Sequence, residues 1–188
     1  MVSLVGAGPG DAGLITVKGL QRIQQADAIV YDALANPRLL EYAHPDAQLI
    51  DAGKRSRQHT LTQDQTQELL VKLASQYALV VRLKGGDPYL FGRGAEEAAY
   101  LAQYGVQCEV VPGVTSGIAA PAMAGIPVTH RSVASTVTFV TGHEDPTKEQ
   151  TAIDYASLAK LAQMGGTLCF YMGVGRLAAI CESLHDGG

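Results

Sequence analysis

VRLKGGDPYLFGRGAEE, Val81 to Glu97, opens as an apolar strand and passes straight into a loop holding four glycines, an Asp-Pro pair and an arginine. The strand begins at Leu79 and the segment LVVRL reads as buried on both faces, as strands of parallel sheets are. Gly94 to Tyr104 then reads as a helix ended by Gly105, and Cys108 to Val111 as the next strand, stopped by Pro112-Gly113. Upstream, Val2–Val5, Ala28–Tyr31 and Gln48–Asp51 read as strands. Thr16–Ala26 has helical spacing, with Val17, Leu20 and Ile23 on one face. Thr62 is an N-cap with Gln65 as its capping-box partner, opening a helix to Gln76. Strands alternating with helices imply a parallel sheet covered on both faces.

Beyond Pro112 the pattern changes. VTSGIAAPAMAGIP is a small-residue helix expected to break at Pro121 and to pack closely against a neighbour. Ser135–Thr141 and Thr167–Met172 read as strands, Asp154–Gln163 and Leu177–Leu184 as helices, and His143–Gln150 as a polar surface loop. This divides the chain into an N-terminal α/β domain, 1–112, and a C-terminal α/β domain, 113–188. With two clear strands, the second sheet reads as incomplete at its C-terminal end.

Of 188 residues, 47% are hydrophobic and 17% charged, a globular composition, and the net charge of -4 argues against nucleic-acid binding by bulk charge. No apolar run is long enough to span a bilayer, and the N-terminus has no basic segment before VSLVGAG, so a cytoplasmic location is expected. Cys108, Cys169 and Cys181 have no metal-ligand or pairing pattern and read as buried free thiols. No His/Cys cluster has metal-ligand spacing, so no metal is expected.

Four polar segments follow strands: GAGPGD, YD, DAGKR and KGGDPYLFGRG. In open parallel sheets these carboxyl ends converge on one edge, where ligands bind. The glycines then let a ligand lie against bare backbone, while Asp87-Pro88 sets the turn. The first loop carries two glycines of a dinucleotide fingerprint, but Asp11 stands in place of the third and Pro9 removes an N–H. That argues against a pyrophosphate site and favours a ligand without phosphate or one with positive charge.

The segments GAGPGDAGLITVKGLQRIQQADAIVYD, AGKR, VRLKGGDPYLFGRGAEE, VVPGVTSGIAAPAMAGIPVTHR, TGH and TLCFYMG occur in that order from Val5 to Gly173. Together they resemble the S-adenosylmethionine-dependent tetrapyrrole methylases. The resemblance implies a class III methyltransferase fold of two α/β domains with the donor in the cleft between them, and a homodimer. It implies two methyl transfers to pyrrole carbons of uroporphyrinogen III, giving precorrin-2 for siroheme or cobalamin synthesis. A methylase of a later precorrin, or a non-catalytic fragment or dimerisation module, are the alternative readings. Gly117 departs from the alanine that relatives often carry.

Carried over residue by residue, the resemblance puts donor contacts at Pro9, Gly85, Gly86, Asp87, Leu90, Thr115, Ser116 and Met172. It puts acid-base roles at Asp32 and Lys54. Asp87 suits the donor's ammonium or ribose, or else forms a local turn before Pro88. Thr115 and Ser116 suit a carboxylate, or else cap a helix. Asp32 is a proton acceptor or a turn cap, and Lys54 a proton donor, a carboxylate holder or a surface lysine. The polyanionic substrate needs a local basic lining, for which Lys54, Arg55, Arg57, His59, Arg93, His130 and Arg131 are candidates. Arg93 and Arg131 are the best anchors because a guanidinium grips a carboxylate with two hydrogen bonds. Glu96 would orient Arg93 or meet the pyrrole nitrogens; with Glu97 it otherwise reads as an ordinary first-turn charge.

Overall fold

A computed structural model describes residues 1–53, 61–143 and 153–188. By its internal packing the chain falls into two compact units, Met1–Ser116 and Gly117–Gly188.

The first unit is built on five parallel strands: β1 (Val2–Gly6), β2 (Ala28–Tyr31), β3 (Gln48–Asp51), β4 (Val80–Lys84) and β5 (Cys108–Val111), in the order β3-β2-β4-β1-β5. Its helices are α1 (Val17–Gln25), α2 (Gln63–Gln76) and α3 (Gly94–Gln103). From β1 the chain moves one way across the sheet through α1 to β2 and β3. It then returns through α2 to β4 and through α3 to β5. Right-handed crossovers therefore place α1 on one face and α2 and α3 on the other. Two apolar layers follow from this. Val5, Ile23, Ile29, Leu39, Val81, Leu83 and Val111 form one, and Val2, Leu4, Val30, Leu70, Leu73, Val80 and Leu101 the other. Strand residues alternate between them because successive side chains point to opposite faces.

Local chemistry sets the ends of these elements. The Thr16 side chain accepts from Gly19 N–H at the start of α1, and Thr62 and Gln65 form the expected reciprocal capping box on α2. A short 3-10 segment, Pro37–Tyr42, is opened by the Asn36-Pro37 pair, a cap followed by a first-position proline, and buries Leu39 beneath the sheet.

One ion cluster ties α1 to the sheet edge. The Glu109 carboxylate accepts from Arg22 Nε at 2.6 Å and from Ser3 Oγ at 3.1 Å, and pairs with Lys18 Nζ at 2.6 Å. The Arg22 hydrogen bond, helped by those of Lys18 and Ser3, holds the Glu109 carboxyl down at about 2. A carboxyl lowered on folding adds stability above its unfolded value of about 4.3, and that stability is lost as pH falls towards the folded value. Glu109→Gln is therefore expected to cost about 1 kcal/mol at neutral pH. The gap from the parent chain should close as pH drops from about 4 to about 2, read from urea unfolding at each pH.

The second unit holds α4 (Ser116–Met123, its first residue still in the first unit), β6 (Thr136–Thr141), α5 (Tyr155–Gln163), β7 (Gly166–Tyr171) and α6 (Leu177–Asp186). β6 and β7 pair in parallel. The expectation that Pro121 breaks the small-residue helix fails: α4 runs on to Met123. Proline at 121 leaves the Gly117 carbonyl without its helical donor, and the Cys169 thiol donates to that carbonyl at 3.5 Å. The close packing expected of this helix is present. Gly117 N–H donates to Tyr171 Oη at 2.8 Å, and a Cβ at Gly117 would lie 2.3 Å from that oxygen. A side chain at Gly117 would collide with the tyrosine hydroxyl that the backbone N–H holds. The three thiols are free, as expected, but not buried as expected: Cys108 and Cys169 are half-buried and Cys181 is exposed. Cys181 follows Ile180, the buried position of α6, and so turns outward.

Candidate functional site: the carboxyl edge of the parallel sheet

The segments after β1, β2 and β4 meet at the carboxyl edge of the first unit. The first and last of these are zipped by an isolated bridge, with Gly86 N–H donating to Gly8 O at 2.7 Å and Gly8 N–H to Gly86 O at 3.2 Å. The chain after β5 packs onto them through bare backbone. A Cβ on Gly113 would lie 2.2 Å from Gly86 O, and one on Gly6 would lie 2.6 Å from Gly113 Cα. A Cβ on Gly85 would strike Leu34 Cβ, in the loop after β2, at 2.6 Å, and Gly53, after β3, packs against Ala33. Asn36 Nδ2 closes the ring by donating to Gly10 O at 2.6 Å. Most of these glycines serve loop-to-loop approach. Gly86 serves exposure: its φ is +66° and a Cβ there would meet nothing within 4 Å. Open backbone beside Asp87 is a cradle suited to a ligand without phosphate.

Asp87 clamps this edge. Its Oδ1 accepts from Tyr89 N–H at 2.8 Å and its Oδ2 from Gly113 N–H at 3.0 Å. The turn reading is thus present, and the same carboxylate spans to the β5 loop. Pro88 is buried, and its carbonyl accepts from Gly94 N–H at 2.9 Å. Pro9 and Leu90 are half-buried in the loops after β1 and β4. Thr115 is buried and Ser116, the first residue of α4, is exposed.

Arg93 caps α3 in the left-handed region, φ +57°, and Glu96 holds its guanidinium. Arg93 Nε donates to both Glu96 oxygens, at 3.0 and 3.1 Å, and Nη2 to Oε2 at 2.6 Å. Both side chains are about half exposed. The Arg93 hydrogen bond holds the Glu96 carboxyl below the usual carboxylate range. In the second unit Arg131 is exposed ahead of β6, and Met172 is exposed just past β7 with φ +56°. Lys54, Arg55, Arg57 and His59 lie outside the described residues, as does the polar loop beyond His143.

Glu97 corrects the sequence reading. It is no solvated first-turn charge: it is fully buried, and its Oε1 receives Lys84 Nζ at 2.9 Å, Arg82 Nε at 3.3 Å and Gln63 Nε2 at 3.4 Å. Burial pushes the Lys84 ammonium down from its ordinary value. Arg82 Nη2 then reaches Asp32 Oδ2 at 3.5 Å, and Asp32 Oδ1 accepts from Leu34 N–H at 3.2 Å. Sequence reasoning gave Arg82 and Lys84 no role. The signal was present: two cations two residues apart in a parallel strand share one face, and a buried face demands partners.

Among the described residues, no three His, Cys, Asp or Glu side chains are arranged to hold a metal ion, and no helix is long and apolar enough to cross a membrane. A uroporphyrinogen-III C-methyltransferase of Synechocystis is 54% identical over 187 residues, covering 100% of this chain and 70% of that protein. Siroheme synthase 2 of Yersinia pestis is 52% identical over 187 residues, and the chain spans 39% of it. A crystal structure of uroporphyrin-III C-methyl transferase from Thermus thermophilus, complexed with S-adenyl homocysteine, superposes with a TM-score of 0.81 at 39% identity, covering 100% of this chain and 76% of that one. The sequence matches the family of Tetrapyrrole (Corrin/Porphyrin) Methylases over residues 1–187, and the chain belongs to that family.

Proposed function

We propose that this chain catalyses S-adenosylmethionine-dependent methylation of uroporphyrinogen III at two pyrrole carbons, giving precorrin-2. The observation that carries the reading is the glycine-built carboxyl edge, with open backbone at Gly86 between Gly85 and Asp87. It belongs to a chain 54% identical to proteins of that activity. The donor supplies an electrophilic methyl group on a sulfonium cation. Gly85, Gly86, Asp87, Leu90 and Pro9 are its proposed contacts in the first unit, with Thr115 and Ser116 at the start of α4 and Met172 after β7. Asp87 complements a cation by its charge while its two backbone bonds keep the loop in shape.

The macrocycle is apolar at its centre and carboxylated around its rim. Leu34, Tyr89 and Phe91 are exposed around the loops after β2 and β4, apolar surface suited to the ring. Arg93, held in place by Glu96, Arg131 and Lys54 are the proposed carboxylate anchors. Each methyl transfer requires the ring to lose a proton, and Asp32 accepts it in this reading. The active protein is a cytoplasmic homodimer whose product feeds siroheme or cobalamin synthesis. The match to a siroheme synthase supports the first of these routes.

The test is an anaerobic incubation with uroporphyrinogen III and S-adenosylmethionine, followed by mass analysis of the tetrapyrrole. A product heavier by two methyl groups is expected. Unchanged uroporphyrinogen, with S-adenosylhomocysteine binding intact by calorimetry, would overturn the substrate and point to a later precorrin.

A further inference from the structure

We propose that Arg82 is a positioning residue that aims the Asp32 carboxylate, braced from beneath by Glu97 and Lys84. The inference rests on the reading of Asp32 as proton acceptor.

All three guanidinium nitrogens of Arg82 are engaged. Nε donates to Glu97 Oε1 at 3.3 Å, Nη1 to the Leu83 and Val30 carbonyls at 3.2 and 3.5 Å, and Nη2 to Asp32 Oδ2 at 3.5 Å. A guanidinium is a rigid planar fork, so fixing two of its edges on buried partners fixes the direction of the third. Those partners do not move readily. Val30 and Leu83 sit in paired central strands, and the Glu97 side chain is wholly buried.

Charge balance separates this role from plain neutralisation of Glu97. Lys84 Nζ already meets Glu97 Oε1 at 2.9 Å, closer than Arg82 does. Arg82 is therefore shared between Glu97 at 3.3 Å and Asp32 at 3.5 Å, and with Lys84 already on Glu97 its Nη2 edge is left to hold Asp32. Exposure rises along the chain of contacts: 0% for the Glu97 side chain, 5% and 7% for Lys84 and Arg82, and 24% for Asp32. The network is anchored in the core and ends on the one carboxylate that solvent or a substrate can reach. The 3.5 Å contact suits a group that must also exchange a proton, since such bonds are often long before substrate binds and shorten in the complex.

The test is a double-substitution cycle on the full chain, with kcat and KM measured for both substrates. Arg82→Lys keeps a cation beside Glu97 but loses the fork. We expect kcat to fall about 10- to 100-fold, the scale of a misplaced catalytic group. KM and S-adenosylhomocysteine affinity should stay within about twofold, a split that general loosening of the fold would not produce. In an Asp32→Asn background the same substitution should change kcat by less than about twofold. If Arg82→Lys lowers kcat equally in both backgrounds, or leaves kcat unchanged while Asp32→Asn lowers it, the positioning role is overturned and the Asp32 reading survives. If Asp32→Asn itself leaves kcat unchanged, the Asp32 reading falls and this inference falls with it. Should Arg82→Lys not fold, Arg82→Met, which leaves the buried Lys84–Glu97 pair intact, enters the same cycle.

Discussion

Gly113→Ala should lower the melting temperature by about 6 to 12 °C. The new Cβ would sit 2.2 Å from Gly86 O, 2.7 Å from Gly6 Cα and 2.9 Å from Gly6 C. All three are backbone atoms, one in the loop after β4 and two at the end of β1, so no side chain can swing aside. Overpacking of this kind costs about 3 kcal/mol where the surroundings cannot relax, and in a chain of this size each kcal/mol moves the transition by about 2 to 4 °C. Relief requires the β5 loop to move off the β4 loop, which would also pull Gly113 N–H from Asp87 Oδ2. S-adenosylhomocysteine binding should therefore weaken together with stability. Gly175→Ala is the control: a Cβ there meets nothing within 4 Å and its φ is unstrained, so the melting temperature should hold within about 1 °C. Calorimetric melting of the two variants checks the contrast, and equal shifts would remove the glycine-contact account of this edge.

Glu97→Leu should cost about 3 to 5 kcal/mol, because it strips the counter-charge from two buried cations at once. Their side chains are only 7% and 5% exposed, for Arg82 and Lys84, so solvent does little to replace the lost carboxylate. A triple variant, Glu97→Leu with Arg82→Met and Lys84→Met, should be more stable than the single one, because apolar replacement of a whole buried ion cluster is often near neutral. Urea unfolding of the two proteins decides the matter. A triple variant less stable than Glu97→Leu would mean that unpaired buried charge is not what the single substitution costs. The two experiments bear on different claims. The first concerns how the loops are assembled, the second why charges occupy the middle of a parallel sheet.

The helices and strands of the first unit were largely legible in the chain, because each rests on local rules. The Thr62–Gln65 capping box, the apolar stretch through Val80–Leu83 and the Gly105 stop all act within a few residues. Where a local rule misled, a distant group had intervened. Pro121 continues α4 because Cys169, 48 positions on, supplies the donor that proline lacks. Cys181 is instead a local miss: the adjacent Ile180 takes the buried position of α6 and turns the thiol outward.

The candidate site divides along the same line. Sequence by itself determined which loops follow the strands, that Asp87 would make a turn with Pro88, and that Glu96 would lie within reach of Arg93. These are matters of chain order and short spacing. Only the tertiary structure decided that Asp87 also clamps Gly113, that Gly6, Gly86 and Gly113 meet backbone to backbone, and that Glu97 is the buried partner of Arg82 and Lys84. Each is a contact between segments far apart in the chain, set by the crossing order that slots β4 between β2 and β1. Residue type and spacing carry no record of that order, because loop closure links any two strands at nearly the same entropic cost. Burial across the finished sheet selects among the pairings.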